Sequence, residues 1–149
     1  MKPYNEEQSK KEQVEQMFDN IAPTYDRLNH VLSFNIDRIW RRRVMRIVRR
    51  SQPAKIMDIA TGTGDLAIAM AKRVVGAHIL GVDLSEEMLR VAHSKVAKLG
   101  FGERISLQKG DAENLAMVET GSIDAVTVAF GVRNFENLER GLGEIHRTL

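Results

Sequence analysis

An apolar run that passes through a glycine-containing loop into an amphipathic helix leaves a chain few folds to choose from. Here that feature is AKIMDIATGTGDLAIAMAKRVV, residues 54–75. AKIMDIA (54–60) has the near-continuous apolar character of a strand buried on both faces, and DLAIAMAKRVV (65–75) has helical periodicity. Gly62 and Gly64 stand at the handover, where the backbone must turn sharply. The alternation then repeats. AHILGVD (77–83) reads as a second strand, and Ser85 caps the helix after it, with Glu86 and Glu87 at the positive end of the dipole. Met88, Ala92, Val96 and Leu99 line one face of that helix, and Gly100 stops it. RISLQKG (104–110) and SIDAVTVAF (122–130) are the third and fourth strands, and ENLERGLGEIHRTL (136–149) is a last helix. Successive βα units of this kind predict an α/β, Rossmann-like parallel sheet with helices on both faces.

The first fifty residues have helical periodicity only. Val14, Met17, Phe18 and Ile21 form one stripe, which Pro23 interrupts. Ile36, Trp40, Val44, Ile47 and Val48 form another, with most of the arginines opposite. Residues 1–50 thus read as an N-terminal helical segment on the substrate side, and 51–149 as the ligand-binding domain. The chain stops just after the helix that follows its fourth strand, leaving that strand with a bare edge. The expectation is a longer protein whose C-terminal strands are missing here.

Charge narrows the partners. The net charge is only +2, but residues 38–50, RIWRRRVMRIVRR, hold seven arginines and no acid. A uniformly basic nucleic-acid binder is not expected. A local basic surface is, either as a solvated helix face or as peripheral contact with anionic lipid. The longest apolar run, AVTVAFGV, falls far short of a membrane span, and the polar N-terminus lacks a signal core. With no cysteine, and with His30, His78, His93 and His146 scattered, no metal site is expected, and the setting is cytoplasmic.

Sheets of this class bind ligands beyond the carboxyl ends of their strands. Asp58, Asp83 and Asp111 lie at or just after three such ends. Gly62-Thr63-Gly64-Asp65-Leu66-Ala67 matches the dinucleotide pattern G-x-G-x-x-A, with Asp83 nineteen residues after Gly64, so NAD is a serious rival. Charge argues against it. Asp65 at the helix start and Asp58 nearby would meet a pyrophosphate with a repulsion of roughly 4 kcal/mol for charges ~4 Å apart at an effective dielectric of ~20. S-adenosyl-L-methionine carries a sulfonium and an ammonium and no phosphate, which suits the acids. Asp83 can accept both ribose hydroxyls, and Asp111 the adenine amino group, with the Ala112 N–H facing a ring nitrogen.

DIATGTGD, GVDLSEEML, GDAENL and VTVAFGVRNFEN, together with the N-terminal YDRLNHVLSFNIDRIW, resemble the motifs of the UbiE/MenG family of class I methyltransferases, from about Val14 to Leu149. The resemblance implies C-methylation of a polyprenyl quinol ring: most simply demethylmenaquinol to menaquinol, alternatively a benzoquinol of the ubiquinone pathway. It places Thr63, Asp83, Asp111 and Ala112 on the cofactor, with Asp58, Gly62 and Gly64 shaping the loop. Three positions depart from the family pattern: Thr61 stands for glycine, Asp37 for histidine and Ala116-Met117 for Pro-Phe. Arg133 is the expected stabiliser of the developing phenolate, Asn134 orients the ring and Tyr25 closes over it. A non-catalytic nucleotide- or membrane-binding module is the remaining alternative. The truncation carries an expectation of its own: the 149 residues alone bind the cofactor or methylate less well than a longer chain.

Overall fold

The computed structural model describes the backbone of residues 9–32 and 36–149, and the side chains of residues 9–25 and 39–149. Asp37, Ile36 and much of the YDRLN signature therefore lie outside the described side chains. The elements run α1 (Lys10–Leu32), α2 (Ile36–Arg50), β1 (Lys55–Ile59), α3 (Asp65–Arg73), β2 (His78–Asp83), α4 (Glu86–Lys98), β3 (Ile105–Lys109), β4 (Ala125–Val128) and α5 (Leu138–Thr148). A 3-10 turn, Gly131–Asn134, follows β4.

All four strands are parallel, in the order β3-β2-β1-β4. Ile59, at the end of β1, lies opposite Val82 on one side and Val128 on the other. Alternation along β1 divides the core in two. Ile56 joins Ile79, Ile105, Leu66, Ala67, Met70 and Val96, with Met45 and Val48 of α2 packed on top. Met57 and Ile59 face the other way, onto Val82, Leu115, Val118 and Ile123. The first layer is helical. The second consists of α5 and the turns of residues 110–124, so this face of the sheet has less helix than the βα pattern implies. The helices α1 and α2 pack on α4 and α3.

Several local expectations change. Pro23 lies inside α1 instead of interrupting it. The lost N–H leaves one carbonyl short, and the Thr24 hydroxyl donates to a neighbouring carbonyl, Ile21 O, at 3.2 Å. The buried stripe of α2 is Val44, Met45 and Val48, while Ile47 is exposed, because the helix meets α3 about one residue round from the expected face. Met17 and Leu99 are also exposed. The helix α3 stops at Arg73, two residues early, because Arg104 takes over its end: the guanidinium donates to the carbonyls of Ala71 (2.8 Å), Val74 (2.7 Å) and Ala77 (3.0 Å). The fourth strand ends at Val128, since Phe130 adopts φ +63° and the chain turns across the sheet edge. Among the described residues, no helix is long and apolar enough to cross a membrane.

Candidate active site

Two neighbours leave β1 in opposite directions, β2 through α3 and β4 through the rest of the chain, so the carboxyl end of β1 opens into a crevice. The crevice holds about 800 Å3 of empty space continuous with solvent. Its floor is Ile59, Ala60 and Gly62. One wall carries Asp83 to Ser85 and Met88, a second Gly110 to Glu113, and a third Phe130, Gly131, Arg133 and Asn134. Lys11, Val14, Glu15, Phe18 and Tyr25 of α1 form the roof.

The glycine loop is held from beneath. The Thr61 N–H donates to Val82 O at 3.1 Å and the Gly64 N–H to Thr61 O at 3.0 Å, closing a turn with Gly64 at φ +80°. A Cβ on Gly64 would stand 3.2 Å from that of Ala92, close enough to push α4 back by a few tenths of an ångström, and the φ of +80° itself favours glycine. Across the crevice, a Cβ on Gly131 would meet the Ala60 Cβ at 2.3 Å. That absence of a side chain lets the 3-10 turn lie against the end of β1.

Of the residues expected at the site, Asp83, Asp111, Ala112, Gly62, Arg133, Asn134 and Tyr25 line the crevice. Asp58, Thr63 and Gly64 do not. Asp58 is buried beneath the loop, where it accepts from Thr61 Oγ1 (2.7 Å) and Thr127 Oγ1 (2.6 Å), tying β1 to the loop and to β4. Thr63 is also buried, and its hydroxyl oxygen accepts from Lys95 Nζ at 3.2 Å.

Asp65 does not present to the crevice the charge that its place in the loop suggests. Its two oxygens accept from Lys95 Nζ at 2.5 Å and Arg41 Nη1 at 3.1 Å. Burial alone would raise this carboxyl, but the two cations outweigh it and hold it below the usual carboxylate range. Asp65 is thus compensated and turned toward α2 and α4. The acids that do line the crevice are Glu15, Asp83, Asp111 and Glu113. Lys109 engages Glu15 and Lys11 engages Asp111 and Glu113, whereas Asp83 is held by backbone N–H groups.

Asp83 is set for recognition. Its Oδ2 accepts from the Gly62 N–H (2.7 Å) and its Oδ1 from the Ser85 N–H (3.0 Å), which orients the carboxylate and leaves further lone pairs free. Burial pushes this carboxyl above its ordinary range despite those donors. Asp111 accepts the Glu113 N–H at 2.9 Å through one oxygen and Lys11 Nζ at 2.5 Å through the other. A nitrogen donor thus already sits on Asp111, at the place where an adenine amino group is expected.

The polar stripe of α1 was not among the expected site residues. Lys11, Glu15 and Asp19 recur at i, i+4 and i+8, and each ties the roof to the rim. Lys11 bridges Asp111 and Glu113, Glu15 accepts from Lys109 Nζ (2.6 Å), and Asp19 accepts from the Ser85 hydroxyl (2.5 Å) and the Glu87 N–H (3.3 Å). The spacing is visible in the sequence, but nothing local names its partners.

Asp58 carries a pH signature. Burial pushes its carboxyl up to about 6, against the hydroxyls of Thr127 and Thr61, and the charge of Asp83 adds to the rise. A folded-state value above the ordinary 3.8 means that the folded protein holds this proton more tightly than the unfolded chain. Its contribution to stability is full below the ordinary value and is lost as pH rises through about 6. Asp58→Asn keeps the shape and abolishes the titration. Its stability relative to the parent is expected to improve between acid and neutral pH by about 3 kcal/mol, or several degrees of melting temperature. Thermal melts across that range check it; a constant difference would refute it.

A crevice at the switch point of a parallel sheet of order 3-2-1-4, lined by acids, defines the class as a Rossmann-like α/β fold. Solved structures share it. The [4+2]-cyclase SpnF superposes with a TM-score of 0.77 at 21% identity, over 95% of this chain and 57% of that one. A putative S-adenosyl-L-methionine-dependent methyltransferase from Methanococcus maripaludis gives 0.70 at 24%, over 98% and 62%. The chain belongs to the ubiE/COQ5 methyltransferase family, whose model matches residues 6–149. It is 49% identical over its whole length to the demethylmenaquinone methyltransferase of Bacteroides fragilis. It is 45% identical, over 94% of its length, to the ubiquinone/menaquinone biosynthesis C-methyltransferase UbiE of Geotalea uraniireducens. The chain spans about 60% of the length of each of these relatives.

Proposed function

We propose that the protein is an S-adenosyl-L-methionine-dependent C-methyltransferase acting on a polyprenyl quinol ring, converting demethylmenaquinol to menaquinol. The observation that carries this reading is the crevice rim, in a chain of this family: Asp83 and Asp111, at the ends of adjacent strands, face a cavity with more carboxylates than cations. A diphosphate is repelled there and a cationic ligand is attracted.

The residues present fit that cofactor. Asp83 would take the ribose hydroxyls, its orientation already set by Gly62 and Ser85. Asp111 would take the adenine amino group in exchange for Lys11, beside Ala112. Thr63 and Asp58 support the loop from behind, and Gly62 and Gly64 give it its shape. When bound, the cofactor supplies an electrophilic methyl group on sulfur.

The chain's own part is positioning, exclusion of water and handling of one proton. Phe18, Tyr25, Phe130 and Phe135 give the crevice an apolar lining suited to an aromatic ring. Tyr25 stacks edge-on to Phe18 with centroids 5.9 Å apart, and Trp40 of α2 does the same to Phe130 at 5.4 Å. Arg133 lies over the Phe130 ring, 5.9 Å from its centroid. A guanidinium there favours ionisation of a quinol hydroxyl, which makes the adjacent ring carbon nucleophilic. Asn134 orients the ring from the same turn. Within residues 1–50, α1 supplies the roof on the substrate side, and 51–149 act as the cofactor-binding unit. A tailed quinol resides in a bilayer, so the enzyme works at a membrane surface.

The test is methyl transfer from labelled S-adenosyl-L-methionine, offered both a demethylnaphthoquinol and a benzoquinol, with calorimetry against S-adenosylhomocysteine and NAD. Preferential methylation of the naphthoquinol and selective binding of S-adenosylhomocysteine are expected. Turnover of the benzoquinol alone would move the enzyme to the ubiquinone pathway, and binding of NAD alone would refute the reading.

A further inference from the structure

The outer face of α2 is not explained by the crevice. Ile39, Arg43, Arg46, Ile47 and Arg50 recur along it at helical spacing, and all are exposed, Ile39 by 67% and Ile47 by 62%. Arg42 and Arg49 flank it and, with Arg46, Met45 and Arg73 from the end of α3, line a shallow groove. The groove continues past Arg49 and Arg73 to Pro53 and Val75, which is 90% exposed. No acid occurs between residues 38 and 57, or between Asp65 and Asp83. Asp65 itself is engaged by Arg41 and Lys95. The belt is therefore cationic, with no acid from its own segments to offset it, and three large aliphatic side chains project from it.

That combination selects among anionic partners. A nucleic acid rewards the guanidinium groups but gives exposed isoleucine and valine nothing to enter. An anionic bilayer rewards both, with phosphates for the arginines and the acyl boundary for the aliphatic groups. The same helix also reaches the crevice, since Trp40, on its flank between Ile47 and the buried stripe, packs on Phe130. One helix thus joins the charged surface to the crevice wall. We propose that the exposed face of α2, with the C-terminal end of α3, docks the protein on an anionic phospholipid surface, lipid phosphates seating in the groove of Arg42, Arg46, Arg49 and Arg73. This deepens the quinol reading by giving the tailed substrate a route, but it stands on residues outside the crevice.

The test is co-sedimentation with phosphatidylcholine vesicles, with and without phosphatidylglycerol, at low and high salt. Binding is expected only to the anionic vesicles and is lost at high salt. Each basic residue at such a surface is worth about fivefold in partitioning, so Arg46→Gln/Arg49→Gln/Arg73→Gln should lower it about a hundredfold. The corresponding triple lysine variant should largely retain it, and Ile39→Ser/Ile47→Ser should weaken it without changing the salt dependence. S-adenosylhomocysteine affinity, measured on the glutamine variant, should match the parent and shows that the fold is intact. Equal binding to both vesicle types or an unaffected glutamine variant would each overturn the proposal. A failed methylation assay with vesicle binding intact would remove the enzymatic reading and leave the surface standing.

Discussion

Asp83→Ala is expected to weaken S-adenosylhomocysteine binding by about a hundredfold. Hydrogen bonds to a charged group are worth about 1.5–3 kcal/mol each, and in the proposed pose this carboxylate takes two hydroxyls. The loss has a second origin. The Gly62 and Ser85 N–H groups both donate to Asp83, so alanine also removes part of what holds the glycine loop against the end of β2, leaving the Thr61 N–H on Val82 O. Asp83→Asn keeps one acceptor and should lose roughly tenfold, which separates charge from shape. Because burial pushes the Asp83 carboxyl up, affinity in the parent should fall off on the acid side at a higher pH than an ordinary aspartate would give. Titration calorimetry across pH checks both. A change of less than about threefold in the alanine variant would take Asp83 out of the cofactor site.

Arg133→Ala should act on the other half of the reaction. A preorganised charge opposite a developing anion is worth about 10²–10³ in turnover. The guanidinium lies on the Phe130 side of the crevice, across from Asp83 and Asp111, so S-adenosylhomocysteine affinity should stay within about threefold. Arg133→Lys should recover part of the rate, since it keeps the charge without the planar fork. Single-turnover measurement with saturating cofactor is the appropriate readout. A variant that loses cofactor binding and keeps its rate constant would place Arg133 in the cofactor site instead.

Residues whose positions follow from local pattern are legible in the sequence. Ser85 is the cap of α4 and accepts the Met88 N–H at 3.1 Å, because an N-cap depends on the next three residues only. The acids at 83 and 111 stand at the crevice, because a parallel sheet puts the ends of its strands on one side. Asp65 departs from its expected role for the converse reason. Its sequence neighbours are Gly64 and Leu66, but its charge is compensated by Lys95, thirty residues on, and Arg41, twenty-four before. The helix α5 shows the same limit. Gly141 looks like a helix weakness, yet a Cβ there would stand 2.5 Å from the Phe135 ring, so the glycine lets that ring pack on the helix.

The amino-acid order is enough to specify the βα alternation, the glycine turn after β1 and the acids at the strand ends, since each depends on hydrophobic period or backbone freedom within a few residues. Which acids remain uncompensated in the crevice is decided by the assembled fold, which also lays Lys11 of α1 on Asp111, one hundred residues away. The electrostatic character of a crevice is a sum over whatever the fold brings near it. Distance along the chain does not enter that sum.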